Sequence, residues 1–194
     1  MKKIILSAAL VTATILPTAA QAQAIPAAVI AVVDLERVTG QCNACKTATA
    51  ALRSQVSGLQ AREKALSTPL ETEGKAIQTA INALNGKDPD AALQARVRAF
   101  EQKRQQGAQE ISRQQQQIQR NQQYIQQQIA TKLGPIYQQV MQRRSATVLL
   151  ETGSTLASSA SIDVTNDVLA GLNTALPTIA TTAPAQAQQT PPGR

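Results

Sequence analysis

The chain has 194 residues, of which 19 are basic and 12 acidic, giving a formal net charge of +7 at pH 7. It contains no histidine, which excludes Ser-His-Asp and Cys-His catalysis and histidine-ligated metal sites. One phenylalanine, two tyrosines and no tryptophan argue against a large compact core, because aromatic side chains supply much of the buried area in such cores. We therefore expect an extended, non-enzymatic protein that needs no cofactor and no metal.

The first 24 residues have the pattern of a secretory signal peptide. Lys2 and Lys3 form a positive start, residues 4–16 form a 13-residue apolar run, and two A-x-A cleavage patterns follow. A membrane anchor is the alternative, but a helical span needs about 20 apolar residues. We expect residues 1–24 to be removed on export, which leaves 17 basic and 12 acidic residues and a charge of +5.

A short strand and a cysteine pair follow. Residues 28–33 (AVIAVV) are apolar and partly β-branched, which predicts a buried strand. Cys42 and Cys45 are most simply a local disulfide or a free thiol pair near a helix start. A redox role would need a βαβ scaffold that the pattern lacks, and a zinc site would need two more ligands.

The first long helix is predicted from about Cys45 to Leu84. Positions spaced alternately four and three apart, from Leu52 to Leu84, are apolar in eight of ten cases, as in a coiled-coil seam. Pro69 lies inside this stretch and predicts a kink, because proline lacks an amide proton and clashes with the preceding turn.

Residues 85–90 (NGKDPD) predict the turn between two helices. Asn85-Gly86 can adopt positive φ and end the first helix, Asp88 is a suitable N-cap, and Pro89 fits the first helical position. A helix end and a helix start so close together predict an antiparallel hairpin over residues 45–143. The second helix should extend about 75–80 Å.

The second helix is predicted to pack loosely and to carry the excess positive charge. Gln occupies 13 of the 24 positions from 105 to 128; disorder is the alternative there, but Gln is a fair helix former. With one isoleucine per heptad the seam is thin, so the middle of the arm should be pliable. Nine basic and three acidic residues between 89 and 144 give a local charge of +6, which favours acidic partners. The residues proposed to form a diffuse binding surface are Arg96, Arg98, Lys103, Arg104, Arg113 and Arg120.

Beyond the hairpin the sequence predicts short strands and a final helix. Gly134-Pro135 should bend or interrupt the second helix near its end. Residues 147–151 (TVLLE) predict a second strand, residues 154–160 a third, and a short helix follows to about Leu176. Residues 177–194 are rich in Ala, Thr, Gln and Pro and predict a disordered tail.

Residues 25–44 and 144–176 together predict a small β-containing base that associates with other copies. The hairpin returns the chain to its start, so the two stretches must meet. So few short elements bury too little area for comfortable stability, and their sheet has open edges that a shared core would cover. The proposed oligomerisation core consists of apolar residues: Ile30, Val32, Val148, Leu150 and Leu156.

The order of these segments resembles the OmpH/Skp family of periplasmic chaperones. The matching residues are 30–38 (IAVVDLERV), 135–140 (PIYQQV) and 160–172 (ASIDVTNDVLAGL). The resemblance implies a mainly α fold, in which a long antiparallel helical hairpin stands on a short-stranded core shared by a homotrimer. It also implies an ATP-independent holdase of the periplasm that binds unfolded outer-membrane proteins.

The resemblance leaves two departures and two alternatives. The Gln-rich second helix and the C-x-x-C pair depart from the family pattern. Contact with anionic lipid or lipopolysaccharide is expected, but no residues can be assigned to it. A structural coiled-coil spacer or adaptor is the alternative function, and the thin seam between Phe100 and Ile129 argues against it. Nucleic acid is not expected as a partner, because the chain is exported and lacks stacking aromatics.

Overall fold

The computed structural model describes residues 26–184. Two long helices form an antiparallel hairpin that stands on a small base of two strands and two short helices, which confirms the predicted mainly α fold with a small β base. The predicted signal peptide lies outside the described residues. In chain order the elements are β1 (Ile30–Val33), α1 (Leu35–Gln41), α2 (Asn43–Ala83), α3 (Ala91–Arg144), β2 (Val148–Glu151) and α4 (Thr165–Ala175), with 3-10 turns at Thr152–Ser154 and Ala160–Ile162.

The first arm helix, α2, continues through Pro69 and ends at the predicted turn. Asn85 and Gly86 have φ angles of 48° and 85°, a left-handed conformation that these two residue types tolerate best. The Lys87 N–H donates to the Leu84 carbonyl at 3.0 Å and closes the turn. The chain therefore reverses direction within a few residues.

The start of α3 differs from the prediction by two residues. Its N-cap is Asp90, whose carboxylate accepts a hydrogen bond from the Leu93 N–H at 2.8 Å. The prediction that Asp88 caps the helix and Pro89 opens it is wrong. Asp90 has the same capping chemistry, and it is the carboxylate that reaches the free amides of the first turn.

The second arm helix, α3, is one continuous helix of 54 residues, about 80 Å long at 1.5 Å per residue. It passes through Gly134-Pro135, so the predicted interruption there is wrong. Leu133, Ile136 and Val140 flank the proline and are buried in the base. Their packing offsets the roughly 3 kcal/mol that a proline costs inside a helix.

The two strands of the base pair in parallel, with Ile30 opposite Val148 at one end of the register. A parallel pair needs a long crossover, and the whole hairpin supplies it. Successive side chains of a strand point to opposite faces of the sheet. One face packs on the core through Ala31, Val33 and Leu149.

The predicted third strand over residues 154–160 is wrong. This segment is irregular, and its only large apolar side chain, Leu156, is fully exposed at 108%. The free edge of β1 instead meets the chain farther on, where the Val164 N–H donates to the Val32 carbonyl at 2.9 Å. A stretch of Ser and Ala with one large apolar residue has no face to bury, so it does not pair.

A short helix that the sequence did not predict, α1, links β1 to the hairpin. Asp34 is its N-cap and accepts from the Arg37 N–H at 2.7 Å. Cys42 follows and caps α2, and the structure joins it to Cys45 as a disulfide, which is one of the two predicted states of the pair. The core around these elements is closed by fully buried aliphatic side chains: Val38, Val140, Val168 and Leu172.

The last described residues do not match the predicted disordered tail. Residues 177–184 follow α4 and lie against the hairpin outside any helix or strand, because their main chain finds hydrogen-bond partners there. Residues 185–194 lie outside the described part of the chain. Among the helices of residues 26–184, none is both long enough and apolar enough to cross a membrane.

Two glycines test the packing between α3 and α4. A methyl group at Gly171 would lie 2.9 Å from Cγ2 of the buried, β-branched Ile136, whereas one at Gly58 of α2 would contact nothing within 4 Å beyond its chain neighbours. We expect Gly171→Ala to destabilise the protein by about 1–3 kcal/mol through overpacking. The control Gly58→Ala, at an exposed position inside α2, should stabilise it by roughly 0.5–1 kcal/mol through helix propensity. Urea denaturation measures both, and equal effects of the two changes would contradict this account of the contact.

Candidate functional site

The hairpin arm is held together by a narrow seam. In α2, Ile77 is buried and the other predicted seam positions are only half-buried or exposed. In α3, the stretch from Leu93 to Arg120 buries a single residue, Gly107. The predicted thin seam is therefore present, and most of the surface of both helices remains open to solvent.

Two small-to-large contacts keep the helices close. Phe100 of α3 lies over Gly74 of α2, where a Cβ atom would be 3.5 Å from the ring. Closer to the base the arrangement reverses, and Leu66 of α2 lies over Gly107 of α3, where a Cβ atom would be 3.7 Å from Cδ1 of Leu66. Each large side chain packs where its partner helix has no side chain, so the backbones approach closely with little buried area.

Two ion pairs bridge the helices on either side of these contacts. Arg62 binds Glu110 through two hydrogen bonds of 2.7 and 3.0 Å. Arg96 binds Glu73 in the same two-pronged way, at 2.6 and 2.9 Å. In each pair the hydrogen bonds from the guanidinium are the largest cause that lowers the pKa of the carboxyl group. The pairs fix the register of α2 against α3 where apolar packing is scarce.

Open grooves flank the seam in this part of the arm. One, of about 430 Å³, is floored by Leu66, Pro69 and Leu70 and edged by charged residues of both ion pairs and by Lys103. A second, of about 720 Å³, shares Leu66 and Leu70 and is edged by Arg104 and polar side chains. Apolar floors with charged edges can accept the side chains of an extended polypeptide without covalent chemistry.

The six predicted binding residues all lie on α3, but they do not converge on one point. At 3.6 residues per turn, Arg96 and Lys103 lie on one side of the helix and Arg98 lies nearly opposite. Arg96 and Arg104 are in ion pairs, with Glu73 and Glu101. The other four have no carboxylate partner within the described residues, and three of them are exposed: Arg98, Lys103 and Arg113. Their geometry is that of a distributed cationic surface.

The charge of the molecule is more polarised than the sequence reading indicated. The hairpin, residues 43–144, holds 15 basic and 7 acidic residues, a net charge of +8. The other described residues hold one basic and five acidic residues, a net charge of −4. The arm is thus positive and the base negative, so the electrostatic field of the molecule attracts anions towards the arm.

The five predicted oligomerisation residues divide into two groups. Ile30, Val32, Val148 and Leu150 lie together on the sheet face opposite the core, because the register places Ile30 beside Val148 and Val32 beside Leu150. Ile30 and Leu150 are 43% and 38% exposed, whereas Val32 is buried within its own chain at 2%. Leu156 stands alone on the irregular segment after β2.

Several functional candidates were missed at the level of sequence. The interhelical role of Arg62 was missed because its partner lies 48 residues away along the chain. A group of side-chain amides on both arm helices binds residues 177–184: Gln55, Gln117, Asn121 and Gln128. The signal available was the spacing of Gln117, Asn121 and Gln128, which places them on one face of a helix. No group of side chains suited to a metal ion occurs within residues 26–184.

Comparison with known proteins defines the class of this arrangement. The fold is that of a protein from Caulobacter crescentus CB15 described as an OmpH-like outer membrane chaperone, with a TM-score of 0.68 at 20% sequence identity. The similarity covers 86% of this chain and 96% of the other. The sequence pattern of the family "Outer membrane protein (OmpH-like)" matches residues 29–172. The chain therefore belongs to the OmpH-like family, as its resemblance indicated, while none of the curated proteins matches it.

The interhelical ion pairs predict a measurable titration. Arg62→Gln should raise the pKa of Glu110 towards its ordinary value, because the hydrogen bonds and charge that lower it are removed. Because the pKa of Glu110 is lowered in the folded state, the pair stabilises the hairpin above the ordinary carboxyl pKa, and this stabilisation is lost as pH falls through the lowered value. Carbon-13 NMR of the glutamate side chains measures the shift. Arg113→Gln is the control and should shift Glu110 less, so a larger shift there would contradict the assignment.

Proposed function

We propose that the protein is an ATP-independent holdase of the periplasm that binds unfolded outer-membrane proteins and prevents their aggregation. The observation that supports this function best is a loosely packed hairpin of net charge +8 with apolar-floored grooves along it. Membership of the OmpH-like family supports the same role. The signal-peptide pattern of residues 1–24 supports export to the periplasm.

The binding mode follows from the weakness of each individual contact. Long-range attraction from the arm raises the rate at which acidic segments of an unfolded chain arrive, although salt screens it beyond about 8–10 Å. The grooves then take apolar side chains, and the open seam exposes more surface if the helices separate. No single contact is strong, so a bound client stays mobile and can leave without an energy source.

We also propose that several copies, most simply three, share the outer face of the base sheet. In one chain this face leaves Ile30 and Leu150 substantially exposed beside Val148, and Leu156 lies entirely in solvent. A two-stranded sheet is too small to be stable as an independent unit, and its outer strand edge is open. Joining the bases buries this apolar face and leaves the arms free.

Anionic lipid or lipopolysaccharide is a further proposed partner of the arm, on the ground of charge alone. A structural coiled-coil spacer remains the alternative function. A spacer needs a continuous, well-packed seam, whereas Gly107 is the single buried residue of α3 between Leu93 and Arg120. The narrow seam therefore favours the holdase.

Light scattering during dilution of a denatured β-barrel membrane protein tests the proposed function. The mature chain should suppress scattering at stoichiometric amounts without ATP, and a chain that leaves scattering unchanged would support the spacer instead.

The variant Arg98→Gln/Lys103→Gln/Arg113→Gln should slow client association about three- to tenfold at low salt, with the difference vanishing at high salt.

The matched control for that variant is Lys87→Gln/Lys132→Gln/Arg143→Gln. It removes the same charge from exposed positions at the tip and near the base of the arm. It should slow association less than the mid-arm variant, because the lost charges lie away from the two mid-arm grooves lined by Leu66 and Leu70. Equal rates for the two variants would refute the mid-arm location of the binding surface while leaving the holdase function intact.

The proposed assembly is tested by mass. Native mass spectrometry of the mature chain should give a trimer, and Ile30→Asp should shift it towards monomer, because a buried unpaired carboxylate costs several kcal/mol. Ile81→Asp is the control on the arm, since Ile81 is 41% exposed and Ile30 is 43% exposed. A monomeric wild type, or an Ile30→Asp variant that assembles as well as the control, would contradict the shared base.

A further inference from the structure

Residues 177–184 (PTIATTAP) lie along the hairpin and belong to no helix or sheet. Ile179, Thr181 and Ala183 are half-buried, while the residues between them are exposed, which is the alternation of a strand with one face covered. Ile179 packs against the base core and anchors the start of the segment. Beyond it, the side chains are too small to account for the fixed path.

The path is fixed by side-chain amides that bind the main chain of the segment. Gln128 forms two hydrogen bonds with Ala180: its Nε2 donates to the Ala180 carbonyl at 2.9 Å, and its Oε1 accepts from the Ala180 N–H at 3.0 Å. Nε2 of Gln55 donates to the Thr181 carbonyl at 3.2 Å. The amide of Gln128 thus pairs with both main-chain groups of Ala180, as a residue of a neighbouring β-strand would.

The second half of the segment is bound in the same way. Oδ1 of Asn121 accepts from the Ala183 N–H at 2.8 Å, and Nε2 of Gln117 donates to the Ala183 carbonyl at 3.3 Å. Five main-chain groups of the segment are therefore paired, and their partners are four side chains of the hairpin. We refer to Gln55, Gln117, Asn121 and Gln128 as the amide row.

The amide row is organised by contacts among its own members. Asn121 is 3% exposed, and its Nδ2 donates to Oε1 of Gln55 at 2.8 Å. Nε2 of Gln117 donates to Oδ1 of Asn121 at 2.8 Å, and a guanidinium nitrogen of Arg120 donates to Oε1 of Gln117. These bonds hold the amides in the orientation that binds the segment, and bonds of this kind reduce the ordering that binding requires.

We propose that the amide row is a binding site for the main chain of an extended polypeptide, and that residues 177–184 occupy it until an unfolded client displaces them. This proposal rests on the proposed holdase function. Recognition through N–H and C=O groups is independent of sequence, since every non-proline residue offers both. That property suits a partner whose sequence varies but whose main chain is exposed. The small side chains of Ala180, Thr181 and Ala183 make the resident segment easy to displace.

The site is tested first with the segment itself, in the full mature chain. Ala180→Pro/Ala183→Pro removes both N–H donors that the amide row accepts, so the resident segment should be released. A labelled synthetic peptide of residues 177–184 should then bind this variant at least tenfold more tightly than it binds wild type, by fluorescence anisotropy. Thr178→Pro/Thr182→Pro is the matched control, because neither of those N–H groups donates a hydrogen bond in the structure, and it should bind peptide as weakly as wild type.

Main-chain recognition is tested by changing one atom of the peptide. An ester in place of the Ala180 amide removes the N–H bound by Gln128 and should weaken binding to the released variant about tenfold. An ester in place of the Ile179 amide removes an N–H with no partner in the structure and should leave binding unchanged. Absence of peptide binding to the released variant, or equal binding of the two esters, would overturn the proposal.

Displacement by a client is tested by hydrogen exchange in the wild-type chain. Addition of an unfolded outer-membrane protein should increase exchange at Ala180 and Ala183, and the released variant should bind that client about three- to tenfold more tightly. Gln128→Ala in the released variant should reverse this gain, whereas Gln123→Ala, an exposed glutamine of the same helix, should not. Client binding with no change in exchange would overturn displacement. If the client does not bind at all, the holdase function fails, and the peptide measurements still decide the site.

Discussion

The fold depends on the base, where the stretch of chain before the hairpin packs against the stretch after it. β1 and β2 pair in parallel only because the hairpin carries the chain out and back, and the strands are each four residues long. Such short strands do not hold the hairpin closed alone. α3 continues into the base, where Ile136 and Val140 pack with Val168 and Leu172 of α4. The arm and the base are therefore one cooperative unit at this end. Beyond the part of the arm that binds residues 177–184, the hairpin is supported only by contacts between α2 and α3.

Away from the base, apolar packing between α2 and α3 is sparse, and hydrogen-bonded ion pairs align the two helices. Glycine lies opposite the large side chain at both close approaches, so the helices are near each other but bury little area. Register is instead specified by the Arg62–Glu110 and Arg96–Glu73 pairs, which are exposed and contribute little free energy each. An arm built this way keeps its alignment and remains easy to separate, whereas a leucine-rich seam would resist separation.

The parts of the fold that depend on local pattern could be predicted from the sequence. The seam from Leu52 to Leu84 and the left-handed conformations of Asn85 and Gly86 follow from residue type and spacing alone. The thin seam of α3 follows equally directly from its glutamines. The predicted interruption at Gly134-Pro135 failed because it depends on tertiary packing: α3 continues through Pro135 since the residues around it are buried, which no local rule reports.

Only part of the candidate site could be predicted from the sequence, because its contacts also depend on tertiary structure. The six basic residues could be nominated from charge, but their pairing could not, since the partners of Arg96 and Arg62 lie 23 and 48 residues away. The tail was expected to be disordered because its composition is poor in large apolar residues. Its described part, residues 177–184, is ordered by hydrogen bonds with Gln128 and Asn121, 52 and 62 residues distant. Local composition does not indicate a hydrogen-bond partner that is distant in sequence and close only in the folded chain.

The separation of charge between arm and base has a consequence for any assembly of copies joined at their bases. Arms that each carry a surplus of eight positive charges repel one another. Since they are tethered at one end, that repulsion pushes their free ends apart and is weakened by counterions. The volume enclosed between the arms would then follow the ionic strength of the compartment, and an anionic guest would draw the arms inward by neutralising them.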